Sequence, residues 1–480
     1  MTSALPAVLP EIVLVCAACA VLLLDVFLPP SRRHWCFWLA QAALLSCAAI
    51  AVFTAGLEPL RHFGGLVVDD LVGRFLKSVA CLAVAAMLFY SRGYLVARDL
   101  FRGELLALTM FSLLGMMVMM SAASFLTLYL GLELLALCLY SLVAMHRTST
   151  AASEAAMKYF VLGALASGML LYGMSMVYGA TGSLDIHSIG RAVLTGRANG
   201  TILLFGLVFI VSGIAFKLGV VPYHMWVPDV YHGAPTPVTL LIGTAPKLAA
   251  FAFTLRLLAV ALAGLEFDWQ GMLIVLSLLS MILGNVVAIA QTNIKRMLAY
   301  STIANMGFML LGFLAANLWG YSAAMFYVVA YVLTSLASFG VIMLLSREGF
   351  EADRIEDFRG LNQRSPWWAF VVLVVMFSLA GVPPTLGFYA KFAVIEAAVG
   401  AGFIWLAVVA VLASLVGAFY YLRVVKVMYF EDAVDNEPIA ARGDARVLLS
   451  ANGIALVAFG IMPQPLMGLC AVALAQSGFL

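Results

Sequence analysis

Charge is what this chain lacks. Asp, Glu, Lys and Arg make up 10% of its 480 residues, against 64% that are apolar. Soluble domains run about 25% charged and about 45–50% apolar. A chain this long has room for roughly three such domains, and it lacks the charge to give them a wettable surface. A disordered chain is excluded for the same reason. The apolar runs are continuous and do not alternate, which excludes a transmembrane barrel and leaves an all-α polytopic membrane protein. The net charge of +2 offers no electrostatic case for nucleic acid.

Cysteine is sparse as well. Cys16 and Cys19 form a CxxC, but no second pair follows and no His is close in sequence, so the seven cysteines read as small residues packed in apolar helices. No haem, iron–sulfur or zinc motif is visible. No Lys or Arg precedes Arg32, so the first apolar segment is expected to be a retained span and not a cleaved signal peptide. Long polar loops are missing too: the longest lie near 180–200, 347–365 and 429–446. None has room for a catalytic domain, so function must lie inside the membrane or against a partner.

What the chain does contain is a series of apolar segments, each near the roughly 20 residues that cross a hydrocarbon core of about 30 Å. Spans are expected near 8–28, 35–55, 69–90, 104–121, 123–145, 153–179, 201–232, 236–262, 270–290, 295–316, 320–346, 366–399, 402–428 and 447–475. The loops after odd-numbered spans hold fourteen Lys and Arg, whereas those after even-numbered spans hold only Arg61, Arg191 and Arg197. The positive-inside rule then makes the odd loops cytoplasmic and both termini periplasmic. Spans seven (AFKLGVVPYHMWVPDVYHGAPTPV) and twelve (SLAGVPPTLGFYAKF) are long and interrupted by Pro and Gly. They lie about 160 residues apart, and each sits in a block of five spans, four to eight and nine to thirteen. Because five is odd, the second block must run inverted. Discontinuous helices at matching places in inverted repeats belong to ion-handling transporters; two ordinary proline kinks are the plainer alternative.

The seven lysines stand apart from the nineteen arginines. Arginines mostly mark loops. Lys217, Lys247 and Lys391 fall inside spans seven, eight and twelve, Lys158 falls about a turn into span six, and Lys295 opens span ten. A lysine at a helix centre costs about 2.5–3.5 kcal/mol to insert, so three cost on the order of 10 kcal/mol, which argues against an idle role. A desolvated ammonium can release its proton near neutral pH, whereas a guanidinium cannot. A row of buried lysines therefore reads as a proton relay. Snorkelling to the interface suffices for Lys77, Lys426 and Arg256.

Glu133 lies mid-helix in span five with no polar neighbour in sequence, and Lys217 is its natural partner. A carboxylate moving towards or away from a buried lysine alters the hold on its proton, so the pair reads as a switch. Glu154 precedes Lys158 by one helical turn, a favourable ion-pair spacing. His224, just past Pro222, can carry a proton between sites or serve as a hydrogen-bonded structural residue. Glu396 either pairs with Lys391 or faces the interface. Ser212, Thr244, Asn285, Asn293, Ser301, Asn305 and Thr334 support either ordered water or helix–helix hydrogen bonds.

At these residues a resemblance becomes specific. Segments 158–185 (KYFVLGALASGMLLYGMSMVYGATGSLD), 216–239 (FKLGVVPYHMWVPDVYHGAPTPVT) and 291–307 (QTNIKRMLAYSTIANMG), with the run LAGVPPTLGFYAKF, resemble the antiporter-like membrane subunits of bacterial NADH:quinone oxidoreductase, respiratory complex I. The resemblance covers nearly the whole chain. Among the three such types it is similar to the N type. The L type has a long C-terminal lateral helix for which this chain has no room, and the M type has Glu where Lys391 stands. The resemblance implies an N-terminal three-helix segment (1–103), a first antiporter-like repeat (104–264), an inverted second repeat (265–430) and a C-terminal helix (431–480). It implies a proton relay of Glu133, Lys217, Lys247, Lys391, His224, Lys158 and Lys295, and no cofactor in this chain, with NADH, FMN, iron–sulfur clusters and quinone in other subunits. It also implies the inner membrane as location and subunits M, J and K as neighbours. His232 departs from the Glu or Gln frequent at its place, and Asn305 from the His common at its place. The rival functions are a subunit of a multisubunit cation/proton antiporter and a passive structural subunit.

Overall fold

A computed structural model describes residues 5–53, 59–196, 198–433, 439 and 442–478. Arg197, one of the three arginines expected on the sparsely charged face, lies outside them. The spans before the first break are α1 (Leu9–Phe27), α2 (His34–Phe53), α3 (Leu71–Ala97), α4 (Gly103–Met120), α5 (Phe125–Val143) and α6 (Thr150–Thr181), followed by a short surface helix α7 (Ile186–Leu194). The seventh span is split into α8 (Gly200–Leu218) and α9 (Trp226–Gly233), and the eighth into α10 (Thr236–Gly243) and α11 (Ala245–Thr254). Then come α12 (Glu266–Ile289), α13 (Ile294–Leu314), α14 (Leu318–Leu345) and a one-turn helix α15 (Leu361–Arg364). The twelfth span divides into α16 (Pro366–Ala380) and α17 (Leu386–Gly400), α18 (Ile404–Phe430) follows, and the last span comprises α19 (Gly443–Ile461) and α20 (Gln464–Gln476).

Local chemistry sets many of these boundaries. Asp70, Ser124, Ser149, Asn199, Asn293 and Asn317 each accept a backbone N–H of the helix they open. Such caps satisfy donors that no lipid can take. The two breaks foreseen in spans seven and twelve are built alike. Gly219 (φ 76°) ends α8 and Gly381 (φ 84°) ends α16, each in the left-handed region that a side chain resists.

Loops after even-numbered spans gather on one face. A small hairpin of β1 (Leu60–His62) and β2 (Val67–Asp69) is a strand element that the all-helical reading did not foresee. Val68 N donates to Ser121 O, and Phe125 N to Leu184 O, so the hairpin and the α4–α5 and α6–α7 turns form one plate. Val72 N donates to Ser477 Oγ, bringing the end of the last span to the same face. Loops after odd-numbered spans meet on the other face: Ile294 N donates to Asp353 O, Arg98 Nη2 to Phe350 O, and Arg359 Nε to Glu431 Oε2. This second face is the arginine-rich one, so the alternation that the charge count required is present in the packing.

Four expectations need correction. The eighth span is not one continuous helix: Thr244 (φ −121°, ψ −96°) interrupts it three residues before Lys247, and a wider π turn (Leu255–Ala261) follows. The last span is interrupted at Met462–Pro463, where Gly460 packs against the Pro384 carbonyl of the second break. Lys77 does not snorkel. It is 3% exposed and its Nζ lies 2.6 Å from Glu11 Oε1, joining α3 to α1. Arg256 does not reach for the interface either. It is buried, 2.9 Å from the N-cap acid Asp70, and bonds Met120 O. Lys426 is exposed near the end of α18, as foreseen.

Candidate functional site: buried lysines at the helix breaks

Helix α8 ends at Leu218, and its last carbonyls have no helical partner. Lys247, 1% exposed near the start of α11, supplies one: its Nζ donates to Leu218 O at 2.9 Å and to Lys217 O at 3.4 Å. The interruption at Thr244 places Lys247 in the first turn of a new helix, from which its side chain reaches the break. The same ammonium lies 5.6 Å from the Trp226 ring, at the start of α9. A negative helix terminus and an aromatic face both favour a cation.

The second break repeats the arrangement with a different carrier. Lys391 sits on α17 itself, and its Nζ donates to Leu379 O at 3.0 Å, Ala380 O at 2.9 Å and Ser414 Oγ at 3.0 Å. The Phe308 ring is 4.9 Å away. Both lysines therefore cap the C-terminus of a half-helix inside the membrane.

Lys217, half-buried in the last turn of α8, shares a cavity of about 20 Å³ with Lys247, Tyr159, Trp226 and Pro246. That volume admits one water, which needs roughly 10–15 Å³. A second cavity, of about 10 Å³, is lined by Lys391, Asn305, Tyr327, Tyr331, Thr334 and Ser378. Around it Tyr327 donates to Asn305 Oδ1 at 2.7 Å, and Ser301 and Thr302 bond Tyr421 and Tyr331 at 2.5 and 2.6 Å. The polar residues singled out in sequence thus mainly make helix–helix bonds. Ser212 bonds Tyr223, Asn285 bonds Tyr420, and Thr334 bonds Ser378.

Glu133 and Lys217 do not form the expected ion pair: no contact within 4.0 Å joins them among the described residues. Glu133 Oε1 is buried without a hydrogen-bond partner there, and so is His224 Nδ1 in the linker between α8 and α9. Glu396 is exposed and makes no ion pair with Lys391. His232 is also exposed.

Lys158 and Lys295 belong to networks on the arginine-rich face. Lys158 Nζ lies 2.8 Å from Glu154, one turn back as the spacing foresaw, and 2.8 Å from Asp229 on α9. Asp229 also holds Arg296 at 2.9 Å. Lys295, 5% exposed, reaches Ala234 O at 3.5 Å and Glu351 at 3.9 Å. Glu351 further accepts from Tyr94 at 2.8 Å, Arg98 at 2.8 Å and Thr236 at 2.5 Å. Sequence reading missed Asp229 and Glu351. The signal for Asp229 was an acid inside the broken segment VPDVYHG; Glu351 had none beyond its place in a loop of mixed charge.

No group of three or more His, Cys, Asp or Glu is placed to hold a metal among the described residues. The arrangement offers what proton transfer needs: ionisable groups at membrane depth, helix ends beside them, and cavities of water size.

Comparison with known proteins places these features in a family. Residues 122–417 match the family described as NADH:quinone oxidoreductase/Mrp antiporter, TM. The NADH-quinone oxidoreductase subunit N of Methylovorus glucosotrophus is 56% identical over 476 residues, covering 99% of each chain. A chain in the respiratory complex I of Thermus thermophilus with bound aureothin superposes with a TM-score of 0.82 at 32% identity, covering 96% of this chain and 99% of that one. A chain of the Mrp complex from Dietzia sp. DQ12-45-1b has a TM-score of 0.85 at 22% identity, covering 98% and 97%, a likeness of fold.

Proposed function

Since this chain belongs to the NADH:quinone oxidoreductase/Mrp antiporter transmembrane family, and within it to the subunit N members of NADH-quinone oxidoreductase, we propose that it is a proton-translocating module of that complex. It is a multi-pass protein of the bacterial inner membrane. In our reading the odd loops are cytoplasmic and both termini periplasmic, as the arginine count argues. Segments 104–264 and 265–430 act as two inverted units, with 1–103 and 431–480 flanking them.

The observation that carries this reading is the pair of capped breaks. Lys247 and Lys391 each bond the carbonyls that end a half-helix, and each adjoins a water-sized cavity. We assign the relay to Glu133, Lys217, Lys247, His224 and Lys391 along mid-membrane, with Lys158 and Lys295 connecting it to the arginine-rich face. Glu133 acts as a movable acid rather than a fixed ion-pair partner, since its Oε1 has no hydrogen-bond partner among the described residues and Tyr129 on its own helix is its neighbour. Lys217 and Lys247 exchange a proton through one intervening water. This chain carries out no redox chemistry; NADH, FMN, iron–sulfur clusters and quinone are assigned to other subunits. Its direct neighbours are other membrane subunits, among which M, J and K are our candidates.

The test is functional and biochemical together. A tagged chain is expected to co-purify with flavin and iron–sulfur subunits, in a complex whose NADH oxidation acidifies inverted vesicles. Sodium-driven proton exchange by the chain's own complex without NADH would instead favour the cation/proton antiporter reading, to which the Mrp likeness of fold lends support.

A further inference from the structure

Many hydroxyl groups inside these helices turn back on their own backbone. Ser212, Thr254, Thr302 and Thr334 each donate to the carbonyl one turn earlier, at 2.7–2.9 Å. That local bond satisfies the group without help from a neighbouring helix. Ser414 does not make it. It is the one hydroxyl residue between Ile404 and Phe419 of α18, half-buried, with exposed Val411 and Leu415 beside it. Helix α18 packs against both halves of the second broken span, α16 and α17. Across that contact Ser414 Oγ accepts from Lys391 Nζ at 3.0 Å and donates to Ala380 O at 3.3 Å.

An ammonium carries three N–H donors. Lys391 has one acceptor for each: Leu379 O, Ala380 O and Ser414 Oγ. The two carbonyls can only accept. Once Lys391 has given up a proton, they offer nothing to the lone pair that its nitrogen gains. Ser414 differs, because its hydroxyl hydrogen rotates about the C–O bond. The same oxygen accepts from the ammonium and, once turned, donates to the neutral amine. The bond given up in that rotation, to Ala380 O, is the long one at 3.3 Å. The bond formed uses a separation already at 3.0 Å, and both remaining amine N–H groups stay on the carbonyls. Ser414 keeps its own proton throughout; the transferred one leaves from Lys391.

The first break is built without such a group. Lys247 Nζ bonds two carbonyls, Leu218 O and Lys217 O, and lines the water-sized cavity that it shares with Lys217. Spans eight and thirteen close the two five-span units. Ser414 therefore comes from the span that corresponds to the one supplying Lys247.

We propose that Ser414 is a positioning residue for proton transfer at the second break: its hydroxyl holds the Lys391 nitrogen at the end of α16 in both protonation states, by reversing the direction of one hydrogen bond. The proposal rests on the reading of Lys391 as a relay group.

The test measures NADH-driven acidification of inverted vesicles, by dye quenching, in complexes carrying Ser414→Ala, Ser414→Val or Ser414→Thr. Thr and Val have nearly the same shape and differ in the hydroxyl, so their comparison separates hydrogen bonding from packing. The Ala and Val variants are expected to assemble in parental amount, as read on native gels. They should pump about ten-fold more slowly per complex, the effect of losing one hydrogen bond to a charged group. Ser414→Thr should restore most of the rate. Parental pumping by the Ala or the Val variant, or a Thr variant as slow as Val, would overturn the proposal. So would failure of the Ala variant to assemble, which would make the hydroxyl a structural tie. Lys391→Arg, run alongside, separates this inference from the reading beneath it. If that variant pumps as the parent does, Lys391 is no relay and the role of Ser414 falls with it. If it collapses while Ser414→Ala pumps normally, the inference about Ser414 alone fails.

Discussion

Lys247 Nζ lies 2.9 Å from the Leu218 carbonyl, so a lysine of one span caps the broken helix of another. Moving that ammonium necessarily frees the end of α8, and Lys217 is in the last turn of the same helix. The two lysines are thus coupled by backbone as well as by charge. Lys391 has the same relation to Ala380 at the second break.

Arg retains the charge of Lys but holds its proton in essentially any environment. Lys391→Arg is therefore expected to keep the cap on α16 and to lose proton transfer. The complex should assemble with its subunits in parental ratio, and NADH-driven acidification of inverted vesicles should fall to a small fraction of the parent's. Parental acidification by the assembled variant would mean that Lys391 serves only as a cap.

Glu133→Gln is expected to leave assembly unchanged, because Glu133 Oε1 has no hydrogen-bond partner among the described residues and Gln can keep the bond with Tyr129. Proton pumping should fall strongly, and Glu133→Asp should retain more of it. Dye-quench rates in vesicles, normalised to complex content, decide between this outcome and a silent carboxylate.

The Lys77–Glu11 pair should matter for folding and not for pumping. Breaking a buried pair by removing one partner costs about 3–5 kcal/mol, whereas replacing both by apolar residues is often neutral. Lys77→Ala should therefore deplete the assembled complex and lower its thermal midpoint. Lys77→Met with Glu11→Leu should restore most of both, as read on native gels.

Asp229→Asn is expected to be mild in stability. Its pairs with Lys158 and Arg296 are partly exposed, with Asp229 at 30%, so their loss costs little stability. Pumping should drop while the thermal midpoint stays near the parent's. A large fall in the midpoint would make Asp229 a structural tie.

Hydropathy and arginine placement made the span count legible, because lipid penalises every misplaced charge or unpaired backbone group. The breaks at Gly219 and Gly381 were legible from clustered Pro and Gly beside a lysine. The break at Met462–Pro463 was not: Pro463 and Pro465 lie there with Gly460, but no lysine accompanies them. The interruption at Thr244 had a signal too: Gly243 and Pro246 flank it beside Lys247, with Pro246 in the first turn of α11. Lys77 and Arg256 were misread for another reason. Their partners Glu11 and Asp70 are distant in sequence, and a charge near a helix end looks the same whether it snorkels or pairs inward. Glu133 and Lys217 were paired on charge alone, and the distance between them depends on how α5 and α8 pack.

The most direct test of the account is NADH-driven proton uptake by inverted vesicles carrying Lys247→Ala in a fully assembled complex, followed by quenching of a pH-sensitive dye. The account predicts intact assembly, a collapsed quench and depressed quinone reduction. A parental quench from that complex would contradict a relay through Lys247.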